Sequence, residues 1–262
     1  MSHTFKDVPR TSFLGSGTPI GPQLVDPGPT PGQIVPASRT CVVFDDFTHT
    51  SISATAQAAK WHEEAGSGCT CALVGASDGV TPHALLSSDG TNGDTIVLAS
   101  GVDQIFPSST KHMYFETKVT ASIVTENLFM GFAAMGNDGV PALGAALTTL
   151  LNADHFGVRF GEADASLVIT MSDGSTDLSL DSGVDLVAAT GTVLGLLYSE
   201  DGTVSMYVDG EQKFSSKYTT AGGTVLWSTG FPDVAMGLCV VEENTGNAAT
   251  YKVEYIYSSW GV

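Results

Sequence analysis

Positive charge is scarce in this chain. Lysine and arginine together number 10 against 28 aspartates and glutamates, a net charge of −18 over 262 residues. A surface of that sign repels phosphate backbones, so nucleic acid is not expected as a partner. Long apolar runs are missing too. No stretch approaches the roughly 20 residues that a membrane-spanning helix needs, and no membrane partner is expected. No positive segment followed by an apolar one opens the chain, so no secretion signal is expected. Cysteine is confined to Cys41, Cys69, Cys71 and Cys239, too few for a disulfide scaffold. Zinc sites usually pair C-x2-C with a second matching pair, whereas Cys69-Thr70-Cys71 is C-x-C. Side chains two apart on a strand share a face. Buried, reduced thiols are therefore expected, with one bridge from Cys41 or Cys239 to the pair as the alternative. Helical periodicity is nearly absent; only AALTTLLNA (145–153) fits a short helix, and a loop fits it equally.

Proline is plentiful in one place. Seven of the eleven prolines lie in the first 36 residues, at 9, 19, 22, 27, 29, 31 and 36. Proline fixes φ and removes a ladder donor, so neither a helix nor a central strand runs through this segment. Apolar residues nevertheless recur there: Phe5, Phe13, Leu14, Ile20, Leu24, Val25, Ile34 and Val35, with Lys6 and Arg10 among them. Residues 1–39 carry +1 and the remainder −19. An extended arm with spaced apolar anchors is suited to lie on a partner's surface, gaining main-chain hydrogen bonds and anchor burial. The expected organisation is an arm over 1–39 and one domain over 40–262.

From about Cys41 the chain turns into short runs rich in β-branched and aromatic residues. Ten strand candidates cover 41–47, 95–100, 113–122, 128–135, 155–160, 166–172, 192–199, 203–210, 234–243 and 250–260. Many alternate with period 2. Met113, Phe115, Thr117 and Val119 should share one face, and Tyr114, Glu116, Lys118 and Thr120 the other. The same rule puts Tyr251, Val253, Tyr255 and Tyr257 opposite Lys252, Glu254 and Ile256. Asp173-Gly174, Asp201-Gly202 and Asp209-Gly210 sit between candidates, and Asp-Gly tolerates the positive φ of tight hairpins. The expected fold is all-β, an antiparallel β-sandwich or jelly roll.

Three stretches carry a family resemblance. Asp45-Asp46-Phe47 followed by Lys60-Trp61, then MYFETKVTAS with LFMGFA, then DHFGVRF with LGLLYSEDGTVSMYVDGEQ, occur in order between about 41 and 260. Their succession resembles concanavalin A-like, laminin-G-like jelly rolls. A Pro/Gly-rich arm ahead of such a body is similar to virion structural proteins of tailed bacteriophages. That resemblance implies a decoration or cement protein on the outer surface of a capsid. Its partners would be the major capsid protein and other copies of itself, as a dimer or trimer.

The same resemblance brings in β-glucanases, whose strand carries E-x-D-x-x-E, and whose retaining chemistry needs two carboxyls about 5–5.5 Å apart. The nearest match is Glu162-Ala163-Asp164, and the third carboxylate position is Leu167. No enzyme is expected on that ground. Calcium takes 6–8 oxygen ligands; Asn137-Asp138, Asn152-Asp154-His155 and Asp173 with Asp177 match no ligand spacing, so neither a metal nor another cofactor is expected. Glycans are the alternative partner, for a lectin-like module of a viral fibre or tail. Trp61, Trp227 and Trp260 are the aromatic candidates, and Trp61 with His62 are the expected sugar contacts.

Overall fold

In the computed structural model, residues 40–54, 60–75, 80–100, 112–134, 154–161, 164–174, 177–199, 201–217, 234 and 236–261 are described. The arm anchors Phe5 to Val35 and the segment 145–153 lie outside them. Among the described residues every regular element is a strand, and no helix is long and apolar enough to cross a membrane.

The strands form two sheets of eight. They are β1 (Thr40–Asp45), β2 (Ile52–Ser53), β3 (Trp61–Ala65), β4 (Thr70–Val74), β5 (His83–Ser87), β6 (Thr95–Ser100), β7 (Met113–Ala121) and β8 (Asn127–Ala134). Next come β9 (Asp154–Gly161), β10 (Asp164–Asp173), β11 (Asp177–Asp185) and β12 (Thr192–Tyr198). The last are β13 (Thr203–Val208), β14 (Glu211–Lys217), β15 (Met236–Glu243) and β16 (Thr250–Gly261). Sheet A runs β14-β13-β12-β7-β16-β5-β4, with β1 also paired to β16. Sheet B runs β11-β10-β9-β8-β15-β6-β3-β2. Among the described strands only β2–β3 is a parallel pair. Strand β16 is long enough to hold β7 along one side and both β5 and β1 along the other. The expected all-β jelly roll is the observed fold.

The three Asp-Gly pairs sit where hairpins turn, between β10 and β11, β12 and β13, and β13 and β14. Asp209 and Gly210 have φ of 51° and 83°, the double positive φ of a two-residue turn.

One continuous core fills the space between the sheets. Met113, Phe115 and Val119 from sheet A meet Phe132, Phe156 and Leu238 from sheet B. Aromatic rings chain across it: Phe115 meets Phe132 edge-on, Phe132 stacks on Phe156 at 6.3 Å, and Phe156 meets Tyr198 edge-on. A second apolar cluster of Val97, Ala99, Phe129, Ala133, Cys239 and Val241 lies on the other face of sheet B.

The Asp45…Lys60-Trp61 pattern has a physical basis. Asp45 accepts from the Trp61 indole N–H at 2.7 Å and pairs with Lys60 at 3.1 Å. Its other oxygen accepts from the Phe47 N–H. Phe47 in turn packs against the Trp61 ring at 5.7 Å.

Cys69, Cys71 and Cys239 are free and buried. Cys69 and Cys71 face the core together, as the C-x-C spacing requires. Cys239 belongs to the outer cluster of sheet B, so the alternative of a bridge from Cys239 to the pair does not hold. Burial pushes the Cys71 thiol up to about 12.

Two outcomes follow. Phe132→Ala removes the central ring of the chain and should lower the unfolding free energy by about 3–5 kcal/mol, read by chemical denaturation. Burial raises the Tyr198 hydroxyl from 10.0 to about 12, with the Asp201 charge adding to it. A raised pKa favours the protonated folded form, so this contribution is full below pH 10 and is lost as pH rises through 12. Tyr198→Phe should therefore flatten the fall of the melting temperature over that interval.

Candidate functional site

The outer face of sheet A carries a set of polar and aromatic side chains outside the core. Period-2 alternation in β7 sends Phe115 inward and Tyr114 and Glu116 outward. On β16 a register shift between Val253 and Tyr255 resets the alternation. Tyr251, Val253 and Ile256 consequently face the core, while Tyr255 and Tyr257 face outward with Glu116. Strict alternation had put Tyr255 and Tyr257 with Tyr251 and Val253; the bulge corrects that assignment.

Registers align these residues in a row across six strands. Phe44 of β1 pairs with Tyr257 of β16, and Tyr257 pairs with Glu116 of β7. Glu116 pairs with Gly195 of β12, Gly195 with Tyr207 of β13, and Tyr207 with Gln212 of β14. Gly195 is the low point of the row. A Cβ there would lie 2.8 Å from the Tyr114 hydroxyl, so only glycine lets that ring lean across the neighbouring strand.

Glu116 is the hub. It is 1% exposed. The Tyr114 hydroxyl donates to one of its oxygens and the Tyr255 hydroxyl to the other at 3.0 Å. Tyr114 meets Tyr257 edge-on at 5.9 Å, and Phe44 lies 6.3 Å from Tyr255. Burial, then the charge of Glu116 and its hydrogen bond, hold the Tyr255 hydroxyl far above the usual phenol range, so it stays a donor. Lys118 and Glu254 form an ion pair at 2.7 Å on the same side. The partly exposed rings of Phe44, Tyr207 and Tyr257 rim this buried hub. Aromatic faces held in a line suit a polyhydroxylated ligand, whose C–H faces stack on them.

The sequence candidates fall elsewhere. Trp61 is fully buried, and its N–H is held by Asp45. It has no face to offer a sugar ring, which corrects its assignment as a sugar contact. His62 faces away from the core but is only 6% exposed. Trp260 packs in the core, 7% exposed. Trp227 lies outside the described residues, as does Glu162. Leu167 is a core residue, 0% exposed.

No protein-family model matches the chain, and no curated protein matches its sequence. Solved structures do match in shape. A protein of unknown function from Shewanella oneidensis MR-1 aligns over 89% of this chain and 97% of its own, at 14% identity and a TM-score of 0.57. Peanut lectin aligns over 86% of this chain and 98% of its own, at 10% identity and a TM-score of 0.55. The fold is the concanavalin A-like jelly roll.

The matches also correct the expectation that the chain is not an enzyme. They include a carbohydrate esterase from the Shiga toxin-encoding bacteriophage phi24B, at 14% identity and a TM-score of 0.44, over 76% of this chain and 89% of its own. A β-glucanase from Bacillus licheniformis matches at 12% identity and a TM-score of 0.46, over 83% of this chain and 97% of its own.

Glu116→Gln keeps the shape of the hub and removes its charge. Two charge-assisted hydrogen bonds become neutral ones, and the unfolding free energy should fall by about 1–3 kcal/mol. Thermal denaturation with near-ultraviolet circular dichroism reads both the loss and the loosened tyrosine environment.

Proposed function

We propose that the jelly roll is a glycan-recognising body, carried on a bacteriophage virion and joined to it by the N-terminal arm. The observation that carries the glycan reading is the transverse row Phe44–Tyr257–Glu116–Gly195–Tyr207 on sheet A. It sets the partly exposed rings of Phe44, Tyr257 and Tyr207 in a single line held by the buried Glu116 hub, and a line of ring faces suits an extended saccharide. Lectin-type structures with the same fold support this reading. The excess of acid in the body favours a neutral or basic sugar over a sulfated or phosphorylated one.

The glycan reading is tested by a glycan array followed by titration with the best hit. Saturable binding that weakens at least about tenfold in Tyr257→Ala and Tyr207→Ala, the scale of one good ring contact, supports it. Binding that both variants retain in full, or no binding to any glycan, refutes it.

A second reading is favoured by the arm. Its seven prolines, its eight apolar anchors and its +1 charge against −19 in the body suit a cement or decoration role. There the arm grips major capsid protein and neighbouring copies, and many weak contacts on a symmetric shell add up. A chain lacking residues 1–36 should fold and yet fail to copurify with particles. Particle binding as tight as that of the full chain would refute the arm's role and leave the glycan reading untouched.

A further inference from the structure

Away from the row on sheet A, the inner face of sheet B ends in a buried carboxyl group. On β15 Leu238 and Val240 point into the core, and period 2 sends Glu242 the same way. Glu242 pairs with Ile96 of β6 on one side and with Leu128 of β8 on the other, both of them core residues. It is 0% exposed, and neither of its oxygens has a hydrogen-bond partner of good geometry, although the Ser88 hydroxyl is near.

The same alternation surrounds Glu242 with acid. Asp94 lies two residues before Ile96 and Glu126 two before Leu128, so both turn toward the inner face. The ladder runs on to these positions, the Asn244 N–H donating to the Asp94 carbonyl at 2.9 Å. From sheet A comes Tyr251, whose ring lies 6.3 Å from that of Phe160, and Phe160 pairs with Leu128. The β3–β4 turn adds the buried Cys69 thiol. Glu243 alternates to the other face, where Asn127 Nδ2 donates to it at 3.1 Å. Arg159 and Lys252 each stand between two core residues and face outward. Among the described residues the ion pairs are Lys60–Asp45, Lys118–Glu254 and Lys213–Glu211, and none includes Glu242.

One loop closes this end. Residues 244–249 carry the chain from β15 in sheet B to β16 in sheet A. The Glu126 carboxylate accepts from the Thr245 and Asn247 N–H groups and from Asn247 Nδ2. Ser88 Oγ accepts from the Ala249 N–H at 3.2 Å. Burial pushes the Glu126 carboxyl up, but the hydrogen bonds from Thr245 and Asn247 outweigh it and hold the group below the usual carboxylate range. A second charge beside it would be both desolvated and repelled. Gly246, Asn247 and Ala248 are exposed, so water stands just outside the loop.

We infer that Glu242 is a neutral carboxylic acid in the folded protein and that its ionisation frees the 244–249 loop, which makes this end of the sandwich a pH-sensitive clasp. Burial raises the Glu242 carboxyl from 4.5 to about 7, with Ser88 opposing and the charges of Glu126, Glu243 and Asp94 adding to it. A raised pKa means that the folded form keeps a proton the unfolded chain has given up. The stability it contributes is therefore full below pH 4.5, is lost as pH rises through 7, and changes no further above that. The clasp is independent of the glycan reading.

Amide hydrogen exchange on the full-length protein at about pH 6 and about pH 8, corrected for the pH dependence of the exchange chemistry, tests it. Protection of residues 244–249 should fall about tenfold, the factor of one pH unit beyond the midpoint. Glu242→Gln, neutral at both values, should keep the parent's low-pH protection throughout. Infrared difference spectra of the parent should show a protonated-carboxyl band at the lower pH that this variant lacks. Circular dichroism checks that the variant folds; if it does not, Glu126→Gln, which removes the neighbouring charge, should move the loss of the band to lower pH. The clasp is overturned if the parent's protection is equal at both values, or if Glu242→Gln loses protection as the parent does. It is equally overturned if the parent shows no protonated carboxyl at the lower pH, or if Glu126→Gln leaves the titration of the band unmoved.

Discussion

The pairing of β7 with β16 organises the molecule. Both strands are central in sheet A, and both bury side chains on their two faces. On the inner face Phe115 and Ile256 join the core. On the outer face Glu116 takes the hydroxyl of its neighbour Tyr114 and that of Tyr255 across the ladder. A buried carboxylate is tolerated only where its acceptor capacity is met, so these two tyrosines and Glu116 stand or fall together. Once that register is set, the positions of Gly195 and Tyr207 follow, because β12 and β13 add to β7 in sequence.

Much of this was legible in the residues. The period-2 runs of β7, β12, β13 and β16 announce half-buried strands, and the Asp-Gly pairs announce the turns between them. The outward set Tyr114, Glu116 and Lys118 could be read from β7 alone. What could not be read was tertiary. Strands β3 (WHEEA), β5 (HALLS), β11 (DLSLDSGVD) and β14 (EQKFSSK) contain Glu, Ala, Asp and Ser in place of strong strand formers, and pairing partners impose their conformation. The shift at Val253–Tyr255 is invisible to any rule of strict alternation, and it decides which tyrosines reach the outer face.

The candidate site shows the same division. A tryptophan flanked by charged residues reads as exposed, yet Trp61 is drawn inside because Asp45, sixteen residues earlier, accepts its N–H. The sheet A row is built from residues of five separated strands and Gly195, and only the register brings them into line.

The β1–β16 ladder places Thr40 opposite Gly261. Any tension carried through the arm therefore enters the body at the very end of a six-residue strand that, among the described strands, is held on β16 alone. Tension along the strand axis would load all its rungs together in shear, whereas tension away from the sheet would open them one at a time. The direction in which the arm leaves Thr40 thus sets how much mechanical load the body can bear before sheet A begins to open.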